Sequence, residues 1–119
     1  MESSTLRRGT LDRFPLERGC LDGIAIQSLE AGTVLAVRTR HSTYSLVVLE
    51  GPRRHVLLTG GALFPESTPV RVEGATAGGS MLKTGWIGVG LKLEIWAGEG
   101  PVTTSPVESV TIERHAPIH

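Results

Sequence analysis

The chain has 119 residues, of which 39% are hydrophobic and 20% are charged, as in an ordinary globular domain. Twelve basic and twelve acidic residues give a formal net charge of zero, which argues against nonspecific nucleic-acid binding through many phosphate contacts. No apolar run reaches the length of a membrane-spanning helix, and the single cysteine, Cys20, cannot form an internal disulfide. Together with the lack of an apolar leader, this cysteine usage predicts a cytoplasmic location.

The N-terminal residues 1–21 mix charges of both signs with scattered apolar side chains and follow no regular period. We therefore expect an irregular N-terminal arm. Residues 22–114 are predicted to form a single all-β domain, and residues 115–119 a C-terminal tail. Fifteen glycines and seven prolines favour many turns and short strands in the domain.

Within the domain, β-rich runs alternate with turns marked by glycine, proline or polar residues, at a spacing of roughly ten residues. The predicted strands are 24–29, 33–40, 43–50, 53–59, 69–74, 86–96 and 107–113. No segment has a helical period of useful length. The pattern predicts a small antiparallel barrel or sandwich of about seven short strands.

Two of the connecting segments have distinctive compositions. Residues 62–69 contain two prolines and predict a loop across one end of the fold. Residues 74–85 are rich in glycine and predict a long hairpin loop or flap. Lys83-Thr84 resembles the end of a phosphate-binding P-loop, but Leu82 stands where that motif needs glycine, and a strand follows in place of a helix. The segment therefore does not predict a nucleotide site.

The predicted strand 86–96 has two contrasting faces, because side chains alternate along a strand. One face carries a row of aliphatic residues and is expected to face the core. The glycines on the other face should let the strand bend and serve two sheets. That outer face is predicted to dock on a protein partner or a second copy of the chain. Its interface candidates are Trp86, Gly88, Gly90 and Trp96.

Residues 34–58 carry a local excess of positive charge, with Glu50 as the one acidic residue. If the strands that hold these arginines are neighbours, the guanidinium groups could share one outer face beside Tyr44. This favours an alternative function, a small nucleic-acid-binding barrel. A solvated strand face with charges that protect a sheet edge explains the same pattern. The nucleic-acid candidates are Arg38, Arg40, Arg53 and Arg54.

A third interpretation is an enzyme or a small-ligand binder with a pocket beneath the glycine-rich segment. It requires polar side chains from distant parts of the chain to converge. The pocket candidates are His41, Ser42, Glu66, Ser80 and Lys83. The four histidines lack the close spacing of a zinc site within the domain, so no metal ion and no cofactor is predicted. Catalytic residues are not assigned, and a noncatalytic protein is favoured.

Several short motifs between residues 35 and 112 resemble a group of small bacterial proteins that carry no assigned activity. They are Arg40-His-Ser-Thr-Tyr44, Gly60-Gly61, Phe64-Pro-Glu66, Gly74, Gly78-Gly-Ser-Met-Leu-Lys83 and Gly85-Trp-Ile-Gly88. The resemblance implies a free-standing bacterial domain and implies nothing about catalysis. The leading functional prediction is a noncatalytic protein-interaction or self-assembling β module that uses the strand 86–96 and the glycine-rich segment 74–85. It is expected to form homo-oligomers and not to contact membranes.

Overall fold

The computed structural model describes residues 21–115 of the protein. In this range nine strands and two short 3-10 helices follow one another. The strands are β1 (Gly23–Ala25), β2 (Val34–Thr39), β3 (Thr43–Glu50), β4 (His55–Gly60), β5 (Phe64–Gly78), β6 (Met81–Thr84), β7 (Trp86–Gly88), β8 (Lys92–Ala97) and β9 (Gly100–Arg114). The 3-10 helices span Ile26–Ser28 and Gly51–Arg53. Apart from Leu21 and His115, the predicted arm and tail lie outside the described residues.

Six antiparallel strands form a closed ring in the order β2, β3, β4, β5, β8 and β9, with β9 pairing back to β2. Strand β6 pairs with β5 outside this ring. Strands β1 and β7 form a separate two-stranded sheet. The prediction of a small antiparallel all-β fold is confirmed, and the arrangement is a barrel with an added hairpin strand.

Alternation along the ring strands places one side of each strand inside the barrel. Strands β2, β3 and β4 each contribute two fully or almost fully buried aliphatic residues. These are Leu35, Val37, Leu46, Val48, Val56 and Leu58. Burying each such side chain stabilises the fold by about 1.5–3 kcal/mol. The ring therefore encloses a packed core, which is continuous with residues of β5, β8 and β9.

The prediction of a loop at 62–69 is wrong for most of its length, because β5 starts at Phe64 and runs through Pro65 and Pro69. Among the described strands, only β4 pairs with this first part of β5, since the pairing of β5 with β8 starts at Arg71. A proline lacks the N–H that a second neighbour would need, so it is tolerated on an unpaired edge. The prolines thus occupy the one stretch of β5 where they cost few hydrogen bonds.

The predicted strand 86–96 is also not continuous. Strand β7 ends at Gly88, the chain turns at Gly90 with φ +89°, and β8 begins at Lys92. The expectation that this segment bends and serves two sheets agrees with the structure, because β7 pairs with β1 and β8 belongs to the barrel. In the aliphatic row, Ile87, Leu93 and Ile95 are buried as expected, but Val89 lies in the bend and is 43% exposed.

The first predicted strand, 24–29, is largely wrong as well. Strand β1 ends at Ala25, and Ile26, which is fully buried, begins a 3-10 helix. This helix packs against the second one, where a Cβ on Gly51 would overlap the carbonyl oxygen of Leu29. The close contact requires glycine at position 51. In the described range, no helix has the length and apolar character needed to cross a membrane.

Candidate interaction surface

The glycine-rich segment 74–85 is an ordered hairpin and not a loop, so that prediction is corrected. The last residues of β5 pair with β6, and the chain reverses at Gly78 and Gly79, with φ +122° and +65°. The Gly78 N–H donates to the Thr76 hydroxyl oxygen at 2.9 Å. Glycine adopts these φ values without the steric cost that a side chain would bring. The glycines therefore build the turn that brings β6 alongside β5.

Strand β6 is exposed at all four of its residues. Met81 is 74% exposed and Leu82 40% exposed, and these two large apolar side chains follow one another in the chain. They border a shallow groove of about 330 Å³ on the hairpin. Its lining residues are Ala75, Ala77, Met81, Leu82, Lys83 and Leu91. Single exposed apolar residues are normal in soluble proteins, whereas exposed apolar residues that line the same groove are typical of a contact surface.

The outer edge of β6 pairs with none of the described strands. The Gly85 N–H is directed towards β5, where it donates to the Glu73 carbonyl at 2.8 Å, whereas the Gly85 carbonyl accepts from the Ile26 N–H at 2.9 Å. Backbone groups of successive residues point to opposite edges of a strand. This alternation directs Lys83 towards β5, in register with Ala75, and directs Leu82 and Thr84 outwards. The Thr84 carbonyl already accepts a hydrogen bond from Gln27 Nε2 at 3.3 Å, so the N–H and C=O of Leu82 and the N–H of Thr84 form the edge to which another strand could bind.

Trp86, the first predicted interface residue, is half-buried and contacts its own chain. Its ring covers two glycines, because a Cβ on Gly23 would overlap the ring and a Cβ on Gly88 would lie 2.6 Å from Nε1. The Lys83 ammonium lies 4.1 Å from the centroid of the same ring, in a cation–π contact. Gly88 thus makes room for Trp86, and much of this tryptophan is used in intramolecular packing.

Trp96 and Gly90, the other interface candidates, lie elsewhere. Trp96 is on the outer wall of the barrel in β8 and is 41% exposed. It borders a groove of about 240 Å³ together with His55, Pro69, Val70, Arg71 and Gly98. Gly90 lies in the bend between β7 and β8, with open space where a Cβ would be. Because the segment is broken there, the four candidates do not form one continuous strip.

The four candidate nucleic-acid residues are divided between two ends of one strand pair. Arg38 and Arg40 border a groove of about 360 Å³ at the turn between β2 and β3, near Glu108. The Arg38 Nε lies 4.0 Å from the Glu108 carboxylate. Arg53 and Arg54 follow the far end of β3, and a strand of that length spans roughly 26 Å. The structure therefore does not gather the four arginines into one patch.

Arg53 and Arg54 both have partners within the chain. Arg53 pairs with Glu50 at 3.4 Å on the surface. Arg54 has a left-handed backbone, with φ +61°, and its Nε–H donates to the Val72 carbonyl at 2.9 Å. Since Arg54 secures the fold where β4 begins, its guanidinium is committed to a structural contact. A nucleic-acid function stays a prediction, with Arg38 and Arg40 as the residues that share a groove.

The five pocket candidates are likewise divided among different parts of the fold. His41 and Ser42 line the groove at the β2–β3 turn, whereas Lys83 lines the groove of the β5–β6 hairpin. Ser80 lies in the turn of that hairpin, and Glu66 is exposed in the first part of β5. Across residues 21–115, no group of three or more histidine, cysteine or acidic side chains is placed to hold a metal ion. These candidates do not combine into one reactive site.

Sequence reasoning assigned the segment 74–85 to the interaction surface but did not single out Met81 and Leu82 within it. The available signal was an adjacent pair of large apolar side chains just after a Gly-Gly-Ser turn. Because the segment was predicted to be a loop, no direction was assigned to these side chains. Comparisons with protein-family models, with curated proteins and with solved structures return no match to this chain. The candidate surface is therefore argued from its own geometry.

Proposed function

We propose that the protein is a noncatalytic interaction module that binds an extended strand of a partner along the outer edge of β6. The observation that supports this most strongly is the contrast between the closed ring and the one strand added to it. Closing a barrel pairs the strand edges, which otherwise attract other chains. Here β6 lies outside the ring, and within residues 21–115 no strand pairs with its outer edge beside Met81 and Leu82.

The composition of the hairpin supports the same proposal. Natural edge strands are usually protected by charges, prolines or bulges that discourage pairing. Between Thr76 and Leu82 there is neither a charged residue nor a proline. Lys83 is the charged residue of β6, and its ammonium is held over Trp86. Strand addition combines main-chain hydrogen bonds with side-chain pockets, and the hairpin groove lies beside this edge.

A selection with displayed peptides tests this function. Short peptides with alternating apolar and polar positions are selected against the wild-type protein, and bound peptides are mapped by amide hydrogen exchange. We expect enriched peptides to slow exchange at Leu82 and Thr84, whose N–H groups point outwards. Leu82→Pro should abolish binding while leaving the thermal unfolding midpoint nearly unchanged, because proline removes an outward N–H and not one bonded to β5.

Trp96→Ala is the matched control, since it removes an exposed apolar residue from a different surface. Binding should survive this substitution. The proposal is overturned if no peptide is enriched, if Leu82→Pro binds the selected peptides as well as the wild type does, or if Trp96→Ala abolishes their binding.

A further inference from the structure

The geometry points to a binding site for a small phosphorylated ligand at the turn between β2 and β3. This site is separate from the β6 edge and does not depend on the proposed function. The side chains of Arg38, Arg40 and His41 line one groove of about 360 Å³ together with Glu108. Guanidinium groups bind phosphate oxygens well, because their paired N–H donors match the spacing of the oxygens. Two guanidinium groups outnumber the one carboxylate, so the groove favours an anion.

The turn that carries these side chains is fixed by hydrogen bonds between its two ends. The Thr39 N–H donates to the Ser42 carbonyl at 2.8 Å, and the Ser42 N–H donates to the Thr39 hydroxyl oxygen at 3.2 Å. Thr39 is buried, so these bonds are shielded from water. Arg40 and His41 are therefore held at the tip of a fixed turn. A ligand loses less free energy in ordering groups that are already in place.

A β-bulge in β9 places the carboxylate beside this turn. Val107 pairs with Thr39 and Ser109 pairs with Arg38, so Glu108 is the extra residue between them. Bulges are frequent next to functional sites, where they change the direction of a side chain. The Glu108 carboxylate lies 4.0 Å from the Arg38 Nε, and both side chains are exposed. A solvent-exposed ion pair at this distance is weak, so a phosphate can replace Glu108 as the partner of Arg38.

Contacts within the fold do not account for the other two side chains of the turn. In the described range, the side chains of Arg40 and His41 make no hydrogen bond and no ion pair. Charges that protect a sheet edge are not needed here, because β2 lies between β9 and β3, and β3 lies between β2 and β4. The donors of Arg40 and His41 are therefore available to a ligand.

The surroundings favour a small ligand over a nucleic-acid strand. Single-stranded nucleic acid needs aromatic side chains on which bases stack and a basic groove that follows the backbone. Within the described part of the chain, no tryptophan, tyrosine or phenylalanine lines this groove, and the arginines that follow β3 lie beyond its far end. A second groove of about 240 Å³ shares three residues with the first and adds Ser105 and Pro106. It offers space for the group that carries the phosphate.

Titration of the isotope-labelled full chain with ribose phosphate, followed by NMR spectroscopy, tests the site. We expect saturable shifts of the amide signals of residues 39–43 and of Glu108, and none with unphosphorylated ribose. Arg40→Gln should weaken binding roughly tenfold, because it removes a charge-assisted contact. Glu108→Gln should strengthen binding roughly threefold, because it removes the negative charge beside the phosphate. Arg53→Gln is the matched control at the other end of β3 and should bind as the wild type does.

Inorganic phosphate and a single-stranded oligonucleotide are the comparison ligands. Free phosphate should shift the same signals and bind more weakly, and equal affinity would overturn the assignment of the second groove to the attached group. The site is overturned if ribose phosphate causes no saturable shift at the turn, if Arg53→Gln weakens binding as much as Arg40→Gln does, or if Glu108→Gln weakens it. An oligonucleotide that binds the turn more tightly than ribose phosphate would replace the small ligand with nucleic acid and overturn the inference.

Discussion

Strands β4 and β6 lie one after the other along the same edge of β5, but they differ in their other pairing partners and in the burial of their side chains. Arg71 of β5 pairs with both β4 and β8, and Gly74 pairs with both β6 and β8, so β4 and β6 share the edge opposite β8. Strand β4 also pairs with β3 and closes the ring, whereas β6 pairs with none of the described strands except β5. One edge of β5 thus pairs with a strand that closes the ring and with a strand that lies outside the ring.

The difference follows from where each strand places its apolar residues. Val56 and Leu58 alternate along β4 and are buried inside the barrel. Met81 and Leu82 are adjacent, so they point to opposite faces of β6, and neither is buried. An alternating pair can insert into one core, and an adjacent pair cannot. Strand β4 carries apolar residues at 56, 57 and 58, two of which share the face that fills the core, whereas no side chain of β6 reaches the core.

The junction between the two strands is bridged by Arg54 and Gly85. The Val72 N–H donates to the Arg54 carbonyl and the Gly85 N–H to the Glu73 carbonyl, both at 2.8 Å. These bonds continue the pairing of β5 across the break between β4 and β6. The hairpin is therefore attached to the barrel through a continuous ladder, and β6 is held in place although it adds no buried side chain.

The largest effect should come from shortening one side chain in each strand. Leu58→Ala should lower the free energy of unfolding by about 2–5 kcal/mol, because it leaves a cavity in the closed core. Leu82→Ala, the same change on the exposed edge, should alter it by only ~0.5 kcal/mol. Chemical denaturation at low protein concentration, where association does not contribute, measures both. Equal losses would show that β6 supports the core as β4 does.

A smaller effect should come from the backbone at Gly74, where β6 meets β5. A Cβ there would overlap the Lys83 carbonyl oxygen, and φ is +150°. Gly74→Ala should therefore cost about 3 kcal/mol and raise amide exchange across β6. Gly90→Ala is the control, because its φ of +89° is strained but its Cβ meets open space. It should cost about 1–2 kcal/mol. If Gly90→Ala lost as much stability as Gly74→Ala, the cost would come from the positive φ alone and not from the overlap with the Lys83 carbonyl oxygen.

The smallest effect should separate the two neighbouring arginines at the start of β4. Arg54→Ala should cost about 1–2 kcal/mol, because it removes the hydrogen bond to the Val72 carbonyl at the junction. Arg53→Ala should cost no more than ~0.5 kcal/mol, since its pairing with Glu50 is exposed to solvent. Thermal unfolding of both variants measures the difference. If Arg53→Ala were the more damaging change, the junction would not depend on Arg54.

The sequence predicted strands β2, β3 and β4 better than the rest of the ring. Strands β5 and β9 are much longer than the predicted segments 69–74 and 107–113, and β8 was merged with β7. Strands β2, β3 and β4 were predicted within one or two residues of their observed ends, because alternating apolar residues and turn signals agree there. The proline segment was misjudged because a proline excludes a central strand but not an edge, and only the pairing partners reveal which applies. The glycine segment was misjudged because glycines that build a tight turn resemble those of a loop.

The candidate residues were less predictable than the fold. A pocket or a charged patch depends on residues that are far apart in sequence, and the notion that Arg38, Arg40, Arg53 and Arg54 share a face ignored the length of β3 between them. Trp86 and Trp96 share a face only if the segment between them is one straight strand, and the bend at Gly90 separates them. Local patterns give no measure of such distances.

By itself the sequence determined the all-β class and the absence of a long helical pattern. These properties follow from alternation and turn chemistry, which act over a few residues. Only the tertiary structure decided that β4 closes the ring while β6 stays exposed, and that Trp86 covers two glycines while Trp96 faces outwards. Ring closure pairs strands far apart in the chain, and those pairings determine which edges and side chains remain available to a partner.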